Sequence, residues 1–115
     1  KEKRLALEKL ANTQSTEIQV FSTYLDKNIE KAFSSIQKRL GSSLQIKRLH
    51  FFETKNKPEK HIENKLFKGN STISNKNVVI TDKVFLFEKN AIHIIKQKNT
   101  VKFFELMFDS FWKNL

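Results

Sequence analysis

Few side chains in this sequence have the type and spacing that bond-breaking or metal-binding chemistry needs. His50 and His93 have no second ligand-type residue at metal-site spacing, and His61 lies in a Lys-rich stretch. Cysteine is absent, which excludes disulfides, thiolate ligands and thiol nucleophiles. The two glycines are too few and too far apart for a glycine-rich phosphate loop. We therefore predict structural or surface roles for the histidines, and no metal or cofactor.

The apolar pattern predicts the elements that would position any site. Alternating polar and apolar residues indicate strands, and apolar residues three or four apart indicate helices. One helix is well delimited, because Asp26 is a good N-cap residue and Gly41 can end a helix in the left-handed conformation. The predicted strands are residues 17–22, 45–52, 78–80, 84–87 and 91–95, and the predicted helices are residues 1–13, 27–40, 58–68 and 100–115.

This order predicts one α/β domain over residues 1–115, with a mixed β-sheet flanked by helices and an aromatic-rich helix at the C-terminal end. The strand-helix-strand unit predicts a parallel pair, and the later strands predict an antiparallel meander. Residues 69–77 are rich in turn formers and are predicted to be an exposed loop. Because the sequence starts without Met, we expect a fragment of a longer protein, with residues 1–13 as a linker helix from an upstream domain.

The last predicted helix is more apolar than a one-sided surface helix needs to be. Its main stripe is Val101, Phe104, Phe108, Phe111 and Leu115, and Phe103, Met107 and Trp112 widen it. Burial of a Phe side chain is worth about 1.5–3 kcal/mol, so exposure of several would be costly. The polar face mixes acids and bases, which argues against a membrane-surface helix. We therefore predict a homodimer or partner interface formed by Phe103, Met107, Phe111 and Trp112.

The net charge of +10 has two interpretations. It could mark a surface for an anionic partner such as nucleic acid. It could also reflect an AT-rich genome, since Arg4, Arg39 and Arg48 are the only arginines and the lysines are spread through every segment. We favour the second interpretation. No apolar run approaches the ~20 residues of a membrane span, so we predict a cytoplasmic protein.

Several segments, in this order, resemble one half of the phospholipase D-like fold. They are Glu-Ile-Gln-Val-Phe-Ser-Thr-Tyr-Leu at 17–25, Leu-Gln-Ile-Lys-Arg-Leu at 44–49, Val-Val-Ile-Thr-Asp-Lys-Val-Phe-Leu-Phe at 78–87 and Val-Lys-Phe-Phe-Glu-Leu-Met-Phe-Asp-Ser-Phe-Trp at 101–112. Active members of that superfamily carry His-x-Lys-x-x-x-x-Asp on a strand, where the His attacks phosphorus and the Lys neutralises the phosphoryl oxygens. At the matching place this sequence has Asn75, Asn77 and Asp82.

This departure removes the family's chemistry, because an amide cannot form a phospho-enzyme or supply a positive charge. The resemblance therefore implies that the chain is not an enzyme. It makes Asn75, Asn77 and Asp82 candidate ligand-binding residues, and the two amides suit a neutral polar ligand such as a sugar.

The chain is also similar to the C-terminal effector domains of TrmB-type archaeal transcription regulators, which follow a winged-helix DNA-binding domain. That resemblance implies a non-catalytic regulatory domain that senses a small-molecule ligand or dimerises, with DNA bound by an upstream domain outside this sequence. Two other functions stay open: a sensor or interaction module of a membrane receptor or kinase, and direct nucleic-acid binding through the Lys-rich surface. A DNA-binding, membrane-spanning or phosphotransfer segment in the full gene would distinguish among them.

Overall fold

A six-stranded sheet with helices on both faces organises the chain. The computed structural model describes residues 2–52, 61–68 and 75–115. Its helices are α1 (Glu2–Ala11), α2 (Lys27–Leu40) and α3 (Lys98–Lys113), and a 3-10 turn follows α2 at Gly41–Ser43. Its strands are β1 (Glu17–Ser22), β2 (Gln45–His50), β3 (Ile62–Leu66), β4 (Lys76–Ile80), β5 (Val84–Glu88) and β6 (Ile92–Ile95).

The strand order is β3-β2-β1-β4-β5-β6. β1 pairs with β2 and β2 with β3 in parallel, whereas β4, β5 and β6 continue the sheet from β1 in antiparallel pairs. α2 is the crossover between β1 and β2, which confirms the predicted parallel unit. The mixed sheet flanked by helices is confirmed as well.

Both ends of α2 form as the sequence predicts. The Asp26 carboxylate accepts hydrogen bonds from the backbone N–H groups of Asn28 (2.8 Å) and Ile29 (3.1 Å), which satisfies two donors that the first turn leaves unpaired. At the other end Gly41 has a φ of 63°, and its N–H donates to the Gln37 carbonyl. Only a residue without Cβ takes that conformation at little cost, so Gly41 ends the helix.

The helix predicted for residues 58–68 is wrong where the structure describes it. Residues 58–60 lie outside the described residues, and Ile62–Leu66 is a strand parallel to β2. Ile62 and Leu66 are four residues apart, a spacing that puts two side chains on one face of a helix and of a strand alike. Pairing with the edge of β2 decides between the two, and this long-range contact is invisible in local periodicity.

Each face of the sheet has its own hydrophobic core. α1 and α2 cover one face, and α3 covers the other. The first core contains Ala6, Leu10, Ile18, Val20, Ile29, Ala32, Phe33, Ile36, Leu44, Ile46, Ile62, Val79, Phe85 and Phe87. The second contains Leu49, Ile80, Val84, Val101, Phe108 and Trp112. Along each strand the side chains alternate between the two cores.

α3 buries part of its apolar surface and leaves the rest in solvent. Trp112 stacks on Phe108 with ring centroids 5.5 Å apart and is only 8% exposed. The prediction that Trp112 lies at an intermolecular interface is therefore wrong, because its ring fills the core beneath the helix. Four apolar side chains of α3 and the residues after it are exposed, and we call them the α3 stripe: Phe103, Leu106, Phe111 and Leu115. Met107, between them, is half-buried.

Among the residues that the structure describes, no helix is both long enough and apolar enough to cross a membrane.

Candidate functional site

Polar side chains meet where β1 and β2 end. Ser22 is the last residue of β1; it lies beside His50, the last residue of β2, and on its other side beside Asn77 of β4. Neighbouring strands are ~4.8 Å apart, so these three side chains form a short row on the face covered by α2. In open α/β sheets, ligands bind beyond the carboxyl ends of parallel strands, where the direction of chain progression reverses. β1 occupies that position here, between β2 and β4.

We call this row, with Tyr24 and Asn64 beside it, the carboxyl edge. Tyr24 lies in the loop after β1, and its backbone carbonyl accepts hydrogen bonds from Ser22 Oγ (2.7 Å) and from Asn77 Nδ2 (3.2 Å). Ser22 is fully buried and Asn77 is 3% exposed. Because both donors meet one carbonyl, the side chains of β1 and β4 hold the loop against the sheet.

His50 is a buried, neutral imidazole at this edge. It is 4% exposed, and its Nε2 lies in hydrogen-bond contact with Asn64 Oδ1 on β3. Since an oxygen accepts, Nε2 carries the proton and Nδ1 has a free lone pair. Nδ1 has no hydrogen-bond partner within the described part of the chain. Burial lowers the pKa of His50 and outweighs the Asn64 hydrogen bond, which raises it; the Arg48 charge lowers this pKa to a lesser extent, and the Glu30 charge raises it least.

We expect this burial to make stability depend on pH. The folded pKa of His50 lies below its ordinary value of 6.5, so the unfolded chain binds the proton more readily. The stabilisation is complete above that ordinary value and is lost progressively as the pH falls towards the folded pKa. Urea unfolding at about pH 7.5 and about pH 5.5 should show this loss, and His50→Gln should reduce it. An equal loss in both proteins would contradict the burial of a neutral imidazole.

Among the described residues, two ion pairs lie beside the carboxyl edge. Arg48 donates to both oxygens of Glu30, from Nη1 (2.8 Å) and from Nη2 (2.9 Å). Lys3 Nζ lies 2.8 Å from Asp26 Oδ2. Burial alone would raise the pKa of Asp26, but the Lys3 hydrogen bond and the two backbone N–H groups of α2 outweigh it and lower that pKa. The edge therefore offers a ligand neutral donors and acceptors beside internally compensated charges.

The predicted site residues divide between the two ends of β4. Asn77 is buried at the carboxyl edge, and Asn75 precedes β4 as an exposed residue with a φ of 58°, a left-handed conformation that Asn tolerates. Asp82 lies beyond the opposite end of β4, in the turn to β5, where Thr81 Oγ1 donates to it at 3.1 Å. The strand between them is ~17 Å long. Asp82 therefore does not join the two asparagines.

A different group of side chains surrounds a cleft at the amino ends of β1 and β2. The cleft has a volume of about 420 Å³, and its lining includes four carboxylates, those of Glu17, Glu63, Glu105 and Asp109. Gln19 Nε2 donates to Asp109 Oδ1 at 2.8 Å. Among the described residues, no three His, Cys, Asp or Glu side chains are grouped as a metal site.

Ser22, His50 and Asn64 were not among the predicted site residues. Ser22 and His50 each end a strand: Ser22 follows Ile18 and Val20 on one face of β1, and His50 follows Ile46 and Arg48 on the same face of β2. The alternation along each strand was a usable signal. The hydrogen bond between His50 and Asn64 was not predictable, because the β3 segment was taken for a helix.

A six-stranded mixed sheet in this order, with helices on both faces, defines the fold as that of a phospholipase D-like half-domain. A solved structure with this fold is NucT from Helicobacter pylori, to which the chain is 18% identical with a TM-score of 0.68. The match covers 97% of this chain and 90% of NucT. No protein-family model matches the sequence, and no curated protein does. At this identity the likeness shows the fold alone.

The prediction that the chain is not an enzyme is contradicted by this comparison, because NucT is a nuclease of the phospholipase D superfamily. Asn75 and Asn77 occupy the positions at which the motif has its His and Lys, but an imidazole can reach this edge of the sheet from another strand. His50 brings an imidazole to the same edge of the sheet from a different strand. The absence of a histidine at position 75 therefore does not exclude catalysis.

Proposed function

We propose that this chain is the effector domain of a transcription regulator and that it binds an uncharged, hydroxyl-bearing ligand at the carboxyl edge. The observation that supports this proposal is the neutrality of the buried row. Ser22, His50 and Asn77 provide a hydroxyl, an imidazole lone pair and an amide. Nδ1 of His50 and the Asn77 amide are buried, so a ligand hydroxyl can donate to the first and accept from the second once the loop at Tyr24 moves aside.

An anionic ligand is less suited to this edge. Phosphate binding relies on unpaired positive charge or on several free N–H donors. Two described cations near the row, Arg48 and Lys3, are engaged with Glu30 and Asp26. To release Lys3 would leave the largely buried Asp26 carboxylate without its counter-charge, and to release Arg48 would break its bidentate ion pair with Glu30.

Thermal unfolding with paired probes tests the ligand class. We expect glucose or glycerol to raise Tm more than glucose 6-phosphate or glycerol phosphate does, since a ligand of the folded state shifts unfolding by mass action. Asn77→Ala should abolish the shift. Asp82→Ala, at the far end of β4, should leave it unchanged. A larger shift with the phosphates, no shift with either neutral probe, or a shift that survives Asn77→Ala would contradict the proposal.

The regulatory role requires DNA contact in another part of the full protein. Lysines on this chain give non-specific attraction to DNA, which falls steeply with salt and carries little sequence information. At physiological salt, we expect the full-length protein to prefer a particular duplex sequence and this chain alone to show no such preference. We place the full-length protein in the cytoplasm. Sequence preference in this chain alone would favour direct nucleic-acid binding instead.

The α3 stripe supports the proposed homodimer. Phe103 is 62% exposed and Leu106 is 58% exposed, on one side of a helix whose other side is core. We expect Phe103→Lys with Leu106→Lys to raise the dimer dissociation constant by about tenfold or more, because charges replace central apolar contacts. Sedimentation equilibrium measures the change.

Leu5→Lys is the matched control for this prediction. Leu5 is also an exposed apolar residue, but it lies on α1. Its substitution should leave association unchanged. A wild-type chain that stays monomeric at high concentration, or a dimer that tolerates both lysines on α3, would contradict the proposed interface.

Phosphodiester cleavage is a second candidate function, favoured by the likeness to NucT and by His50. Asn64 orients the imidazole, and the free Nδ1 lone pair can take a proton from a water molecule that attacks phosphorus. This candidate predicts hydrolysis of bis(p-nitrophenyl) phosphate that is lost in His50→Gln and retained in Asp82→Ala. Activity that is absent from the wild-type chain, or unaffected by His50→Gln, would contradict it.

A further inference from the structure

A continuous series of polar contacts connects the first helix to the carboxyl edge. Lys3 of α1 forms an ion pair with Asp26 (2.8 Å), and the same carboxylate oxygen accepts from the Tyr24 hydroxyl (3.3 Å). The Tyr24 carbonyl in turn accepts from Ser22 and Asn77. We call this series, from Lys3 through Asp26 and Tyr24 to Asn77, the Tyr24 bridge.

Asp26 makes the bridge sensitive to movement of the loop. One carboxylate oxygen caps α2 through two backbone N–H groups, and the other holds Lys3 and Tyr24. Asp26 is 8% exposed, so loss of either set of contacts leaves a largely buried charge less well compensated. A displacement of Tyr24 would therefore disturb the contact between Asp26 and Lys3 as well, because both side chains bind the same carboxylate oxygen.

α1 is the element that the Lys3–Asp26 contact connects to the Tyr24 loop. It packs on α2 and on β5 and β6, with Ala6 and Leu10 in the core. Lys3 lies in its first turn, and Arg39 Nη2 donates to the Ala11 carbonyl at its last residue. Each end of the helix is thus held by one polar link to another element, and the N-terminal link is the one that continues to the carboxyl edge.

We infer that the Tyr24 bridge couples occupancy of the carboxyl edge to the docking of α1. A ligand that takes over the Asn77 N–H directed at the Tyr24 carbonyl withdraws one of the two donors on that carbonyl, loosens the loop, and weakens the Lys3–Asp26 contact. This inference rests on the proposed function for the ligand itself. The coupling between Asn77 and α1 belongs to the chain alone and is reciprocal, because linkage acts equally in both directions.

Hydrogen exchange of the unliganded chain tests the coupling. Asn77→Ala should speed exchange of the α1 amides at residues 6–11 about threefold to tenfold relative to the α3 amides, the range expected for loss of one hydrogen bond. Asn64→Ala is the matched control, since it removes an amide from the same edge that bonds His50 and not Tyr24. It should leave the ratio of α1 to α3 exchange unchanged. An unchanged ratio in Asn77→Ala, or an equal rise in both variants, would overturn the inference.

The surface variant Lys3→Met tests the reverse direction without risk to the core. Lys3 is 41% exposed and its partner Asp26 is 8% exposed, so the change removes a counter-charge from Asp26 but no side chain from the core. We expect the side-chain amide resonances of Asn77 to shift in Lys3→Met and to stay in place in Lys9→Met, a change at the other end of α1. Resonances that ignore Lys3→Met would also overturn the coupling. Failure of the probe ligands to bind would reject the proposed function and leave both of these results unaffected.

Discussion

Replacement of Glu30 by alanine should lower the free energy of unfolding by about 2–4 kcal/mol. The Arg48 side chain is 5% exposed and lies over the Phe33 ring, 5.5 Å from its centroid. Without Glu30 its charge would stay buried with no counter-charge, which is the costly way to break an ion pair. Glu30 itself is 30% exposed, so the expected loss lies toward the lower part of the range for buried pairs. Urea unfolding at neutral pH measures it.

Arg48→Met is the control that separates the cost of an unpaired buried charge from the loss of the attraction between Arg48 and Glu30. It leaves a carboxylate that can reach water and fills the space over Phe33 with an apolar chain, so it should cost about 1 kcal/mol or less. The double variant should recover most of the stability that Glu30→Ala loses. If Arg48→Met proves the more destabilising of the two single changes, the pair stabilises the fold by attraction, and the reasoning above is wrong.

Phe108→Ala should cost about 3–5 kcal/mol, the range for a large buried aromatic side chain. Phe108 is fully buried, with its ring 5.1 Å from that of Phe21 and stacked on Trp112. Removal of the ring would open a cavity between α3 and β1 that the stiff sheet cannot collapse to fill. Denaturant unfolding at low protein concentration measures the effect on the monomer.

Phe103→Ala, one and a half turns earlier on α3, is the matched control. The ring of Phe103 is 62% exposed, so its loss from a monomer should change the free energy of unfolding by about 0.5 kcal/mol or less. Similar costs for the two substitutions would mean that α3 is rotated about its axis relative to the structure described above.

Local sequence predicted the elements whose determinants are local. The alternation in β1 and the caps of α2 at Asp26 and Gly41 lie within a few residues of the structure that they specify, and both were recovered. β3 was not, because Ile62 and Leu66 fit either periodicity and the choice is made by pairing with β2. Trp112 was misplaced because a helical wheel shows how wide an apolar surface is but not which part of it faces the sheet.

The three site residues assigned from a known motif lie in different places. Asn77 lies at the carboxyl edge, Asn75 is exposed before β4, and Asp82 lies beyond the other end of β4. His50 and Asn64 come together only when β2 and β3 are aligned in parallel, and their sequence separation gives no hint of it. Motif spacing describes one strand, but a site at a sheet edge is assembled from several.

The two edge strands of the sheet, β3 and β6, affect whether the sheet of one molecule can pair with that of another. β6 has four residues, and β3 has five and carries Glu63 and Lys65. A short edge strand is a poor template for the backbone of an incoming chain, and the charges of β3 add to this effect, so growth of the sheet from one molecule into the next is disfavoured. Aggregation by strand addition should accordingly be slow even when the protein is concentrated.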